Sequence, residues 1–108
     1  DSSITSESSS AVRERVKKAR DIQAARFAGT KTKTNSEMSV PELNRFAPLT
    51  PACRKLLVDS ARRLDLSARA YHRIIKVART LADLAGAPDI TEPHLLEALQ
   101  YRPKLLQD

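Results

Sequence analysis

From Ser10 onward the apolar residues recur at three- and four-residue spacing, and the β-branched or aromatic runs that mark strands are missing. Fifteen alanines and thirteen leucines reinforce that period, because both residues favour helix. The reading is therefore all-α, a small bundle of about five helices. Punctuation places their ends. The first helix is predicted over residues 11–28, with serine at the cap and Gly29 as the stop. Ser39-Val40-Pro41-Glu42 is a capping box with proline in the first turn, predicting a short helix over 40–47. Thr50-Pro51 starts a third helix over 51–64, and Ser67 caps a fourth over 68–85 that Gly86 closes. Thr91 caps the last, over 92–101, before Pro103.

The fourth helix carries the clearest stripe: Tyr71, Ile74, Ile75, Ala78, Leu81, Ala82 and Ala85 are predicted to face inward. Arg69, Arg73, Lys76, Thr80 and Asp83 form the opposite stripe. The first helix has only a narrow one, Val12, Val16, Ala19 and Ile22 or Gln23, and is expected to pack on one side. Between the first two helices, residues 30–38 lack an apolar period and read as a loop. The first nine residues, rich in serine, are too polar to bury surface and are expected to form a disordered leader, as residues 103–108 form a flexible tail. Residues 10–102 are the helical domain.

With two glycines in 108 residues, neither a GxxxxGK[ST] loop nor a GxGxxG turn can be drawn. No apolar run approaches the ~18 residues of a membrane span, and no signal-peptide pattern precedes the helices. The single cysteine, Cys53, fits a reducing compartment, so the expected location is cytoplasmic. It lies on an apolar stripe and reads as a small buried hydrophobe. His72 and His94, with no further ligands at suitable spacing, do not make a metal site. No nucleophile and base can be paired, so no catalytic residue is expected in this chain.

The formal net charge of +6 invites polyanions. Six cations against two carboxylates fall in the first helix, where Arg13, Lys17 and Arg20 are candidate polyanion or subunit contacts, as are Arg73 and Lys76 on the fourth. Arg69 stands apart. Behind a Ser67 cap it occupies the first turn, where the helix dipole favours an acid. Beside unspent backbone N–H groups, a guanidinium there suits a phosphate oxyanion. A pair with Asp65, four residues earlier, is the ordinary alternative. The third and fourth helices, joined at Asp65-Leu66, also admit a stand-alone helix-turn-helix-like DNA-binding module, although the arginines lack companion base-reading amides.

The run Leu64-Asp65-Leu66-Ser67-Ala68-Arg69-Ala70-Tyr71-His72-Arg73-Ile74 and its continuation Val77-Ala78-Arg79-Thr80-Leu81-Ala82-Asp83-Leu84-Ala85-Gly86 resemble the C-terminal helical domain of the magnesium-chelatase-like, competence-associated AAA+ ATPases, the ComM type. Val12-Arg13-Glu14-Arg15-Val16 upstream and Glu97-Ala98-Leu99-Gln100-Tyr101-Arg102 downstream extend the likeness. The resemblance implies that this is the lid of a longer protein, folded over ATP and magnesium held by an ATP-binding domain of the same chain. It implies that Arg69 is the "sensor 2" arginine reaching the γ-phosphate. It further implies neighbouring subunits in a hexameric ring and a parent ATPase acting on DNA.

Overall fold

The computed structural model describes residues 8–101, which form five α-helices and one 3-10 turn without a strand among them. In chain order these are α1 (Ser9–Arg26), the 3-10 turn (Asn35–Glu37), α2 (Val40–Phe46), α3 (Pro51–Leu64), α4 (Ala68–Leu84) and α5 (Glu92–Gln100). The fold is a small all-α bundle. The expected flexible tail, and all of the expected leader before Ser8, lie outside the described residues.

Local chemistry sets each helix end. Helix α1 starts earlier than the spacing predicts because Ser8, rather than Ser10, is the cap: its Oγ accepts from Ala11 N at 3.1 Å. In α2 the Ser39 Oγ accepts from Glu42 N at 3.3 Å while Glu42 Oε1 accepts from Ser39 N at 3.0 Å, a reciprocal box. The bond from Ser39 N, with the Thr32 hydroxyl shared between the two carboxylate oxygens at 2.8 and 2.9 Å, holds the Glu42 carboxyl below its ordinary pKa. Thr50 Oγ1 caps Cys53 N at 3.1 Å and Ser67 Oγ caps Ala70 N at 3.1 Å. Helix α3 stops at Asp65, whose φ of 55° lies in the left-handed region. Gly86, at φ 70°, ends α4 as glycine does best: Ala87 N then donates back to Ala82 O at 2.9 Å.

Helix α4 is the axis of the bundle. Helices α1, α2 and α5 and the 3-10 turn all pack on it, and from Ala70 to Leu84 every residue is buried or half-buried. Ile74 and Ala78 meet a core supplied by Leu57 of α3, Leu95 and Ala98 of α5, and Ile90. Phe27 crosses Phe46 edge to face at 5.4 Å between centroids, joining the end of α1 to α2.

Being central changes the expected faces of α4. Thr80 and Asp83 do not lie on a solvated stripe; Asp83 is 1% exposed and Thr80 half-buried, under α1 and the 3-10 turn. Ala85, predicted to face inward, is exposed because it follows the last helical residue. The segment read as a plain loop contains the 3-10 turn, with Asn35 and Met38 fully buried.

A polar network explains that burial. Arg26, at the end of α1, clamps Asp83 with both terminal nitrogens at 2.7 Å. Asn35 Nδ2 donates to Asp83 Oδ2 at 2.8 Å and to Thr80 Oγ1 at 3.0 Å, while its Oδ1 accepts from Arg26 at 2.8 Å. Asn35 N donates to Gln23 Oε1 at 3.0 Å. Arg79 adds a second guanidinium, 3.0 Å from Asp83 Oδ1, and donates to the carbonyls of Ala87 and Pro88 beyond α4. Burial raises the Asp83 pKa, but the bonds from Arg26 and Asn35 and the charges of both arginines outweigh it, so the carboxyl sits below its ordinary value. One carboxylate thus fastens α1, the 3-10 turn and the α4–α5 connection to one end of the central helix.

Candidate functional site

The other end of α4 is open. Arg69 is the second residue of the helix and is exposed. The first intrahelical bond of this turn runs from Tyr71 N to Ser67 O at 2.9 Å, so the N–H groups of Ala68 and Arg69 precede it. Among the described residues the Arg69 guanidinium has no hydrogen-bond or ion-pair partner. Asp65 does not take it; that residue serves the left-handed exit of α3 instead. The site is therefore an unspent cation set beside the positive end of a 17-residue helix.

The other basic candidates divide between two places. Arg73, one turn beyond Arg69, is half-buried and engaged. Lys76 donates from Nζ to Ser36 O at 3.2 Å, bracing the 3-10 turn. Arg13, Lys17 and Arg20 are exposed on α1, away from the network end of that helix, and Lys17 makes a 3.2 Å surface pair with Asp21. The structure thus brings Arg69 and Arg73 together on α4 and leaves the α1 cations as a separate group.

Next to Arg69 in sequence, Tyr71 and His72 stack edge to face at 5.6 Å and line a cavity of about 340 Å³. Leu43, Ala47, Pro48 and Leu49 form one wall, with Asn44, Arg54 and Ile75 completing it. His94 is spent in a cap, its Nδ1 accepting from Thr91 N at 3.0 Å. Cys53 is buried, with Sγ donating to Ile90 O at 3.8 Å. Among the described residues no group of three or more His, Cys, Asp or Glu could hold a metal ion, and no helix is long and apolar enough to cross a membrane.

A helix-turn-helix reader needs an outward face along its second helix. Helix α4 offers none beyond Arg69, since every later residue through Leu84 is at least half-buried. What the fold defines is a helical module that presents a single cationic helix start. The comparison with known proteins gives this class a family. The family described as "Magnesium chelatase, subunit ChlI C-terminal" matches residues 6–102, and the chain belongs to it. It is 47% identical over 103 residues to competence protein ComM of Haemophilus influenzae, covering 94% of this chain and 19% of that protein. It is 38% identical over 99 residues to the uncharacterised protein YifB of Escherichia coli, covering 92% of this chain and 19% of that protein. An uncharacterised protein of Mycobacterium bovis is 41% identical over 104 residues, covering 94% of this chain and 20% of that protein. The chain thus spans about a fifth of the length of the curated relatives it matches.

Sequence reasoning missed Arg26, Asn35, Arg79 and Asp83. A signal was available: Asp83 is the only acid in α4, one turn from Arg79, on a helix whose apolar residues Val77 and Leu84 lie outside the inward stripe. A helix apolar on most sides is surrounded, and a carboxylate on it needs a buried cation.

Proposed function

We propose that this domain is the nucleotide-sensing lid of a magnesium-chelatase-like AAA+ ATPase, with Arg69 as its sensor-2 arginine. The observation that carries the reading is the free guanidinium of Arg69 at the capped start of the central helix. ATP and magnesium are held by an ATP-binding domain of the same longer chain. The γ-phosphate attracts Arg69, whose fork and adjacent N–H groups favour a phosphate oxygen over water. Because α4 is clamped at its far end to α1 and the α4–α5 connection, a pull on Arg69 moves the bundle as one body. Loss of the γ-phosphate releases it, and the two positions report nucleotide state to neighbouring subunits of a hexameric ring. The ComM relative is named for competence, which favours DNA as the parent's substrate, in the cytoplasm.

Hydrolysis by the full-length protein tests this. Arg69→Ala is expected to slow ATP turnover by at least about tenfold, from the loss of a charge-assisted bond, while the domain melts as wild type. Unchanged turnover refutes the assignment.

A further inference from the structure

The cavity beside Tyr71 and His72 is lined by two kinds of group. One kind is core: Leu43, Ala47 and Ile75 are buried, and Leu49 is half-buried. At about 340 Å³ the cavity falls within the size range of sites that take small molecules. The other kind is polar and unspent. Arg54 is exposed on α3, and among the described residues its guanidinium has no hydrogen-bond or ion-pair partner. Its own helix offers none, because Leu57 and Val58 stand one turn on, whereas the neighbouring Lys55 reaches Asp59 at 2.9 Å. The Tyr71 hydroxyl, the His72 ring nitrogens and the Asn44 side-chain amide likewise have no hydrogen-bond partner among the described residues.

We propose that this cavity binds a small aromatic carboxylate of one or two fused rings. The ring system displaces water from Ala47, Leu49 and Ile75 and packs against the rings of Tyr71 and His72. The carboxylate accepts from the Arg54 fork, with the Asn44 amide as a further donor. Other ligand classes leave part of the site unused. A cation would meet Arg54 and find no carboxylate among the lining residues. A neutral hydrocarbon would fill the apolar part but leave the guanidinium unanswered, and a nucleic-acid backbone would use the cation alone. Because the lining comes from α2, the α2–α3 link, α3 and α4, a bound ligand bridges three helices. Arg69 is not among the lining residues, so the inference does not rest on its role toward phosphate.

The probe is 2-naphthoate, titrated into the full-length protein by equilibrium dialysis and read by its own absorbance. A molecule of about a dozen heavy atoms in such a site is expected to bind with a Kd of about 1 mM or below. Arg54→Gln, a change on the surface, should weaken binding by about tenfold, the worth of a charge-assisted bond. The neutral isostere 2-naphthamide should bind wild type weaker by a similar factor. Ala47→Leu fills the apolar part and should abolish binding, with circular dichroism showing that the variant still folds; if it does not fold, Arg54→Gln and the amide decide alone. Arg69→Ala should leave the affinity within about twofold of wild type, since an exposed cation outside the cavity is screened. No binding at several times the expected concentration overturns the proposal. So does an affinity that Arg54→Gln leaves unchanged, or an amide that binds as tightly as the acid. Displacement of naphthoate by adenosine also overturns it, by making the cavity part of a nucleoside site. None of these results bears on ATP turnover by Arg69→Ala, so failure of either proposal leaves the other standing.

Discussion

Replacing Asp83 with alanine removes the anion at the centre of the network. Its side chain is fully buried, accepts three hydrogen bonds, two from Arg26 at 2.7 Å and one from Asn35 at 2.8 Å, and forms an ion pair with Arg79 at 3.0 Å. Without it two guanidiniums, 11% and 4% exposed, face each other with no counter-charge. Breaking a buried pair in this way costs about 3–5 kcal/mol. A domain of this size has roughly 5–14 kcal/mol in total. At about 4–8 °C per kcal/mol, the melting temperature of the 108-residue chain should fall by more than about 12 °C. Thermal and urea unfolding followed by circular dichroism measure it, and Arg26→Ala completes a double-mutant cycle. The two losses should overlap strongly, since each variant already breaks the Arg26–Asp83 pair. A loss below about 1 kcal/mol for Asp83→Ala, or simple additivity with Arg26→Ala, would refute the claim that this carboxylate fastens α1 to α4.

Other perturbations separate the two ends of α4. The Asp83 pKa is lowered in the folded chain, so its contribution is complete above the unfolded value of about 4 and is lost as pH falls through the folded one; the stability gap between wild type and Asp83→Asn should narrow below about pH 4 in urea titrations. Asn35→Leu deprives Asp83 and Thr80 of a shared donor and Arg26 of an acceptor, while the backbone bond to Gln23 can persist, and should cost about 2 kcal/mol. The same change should speed proteolysis between Thr30 and Met38; a cleavage rate equal to wild type would show that the turn is held by other contacts. Arg69→Ala, by contrast, removes an exposed cation from a helix start and should leave stability within about 0.5 kcal/mol of wild type, or slightly above it. A larger loss on melting would give Arg69 a structural role.

What could be read from the sequence was what neighbouring residues decide. The cap at Ser39 with Glu42, the Thr50-Pro51 start and the Ser67 and Gly86 ends of α4 are local devices, complete within four residues. The place of Arg69 in the first turn of α4 was legible for the same reason, since it needs only the Ser67 cap to be seen. The network was not, because Asp83 meets partners 48 and 57 residues away and periodicity says nothing of which helix covers which face. A period of 3.6 marks α4 as two-sided, whereas its central position makes nearly every side an interior one. The same blindness turned Asn35 into a residue of a plain loop, although it is the donor that joins that segment to α4.

If Arg69 answers to the γ-phosphate as proposed, the affinities of the full-length protein for ATP and for ADP will separate. A guanidinium that meets only the third phosphate is expected to make Arg69→Ala weaken ATP binding by about tenfold or more, the worth of one charge-assisted bond, with ADP binding unchanged. Equal affinities for wild type and variant, or an equal loss for both nucleotides, would contradict it.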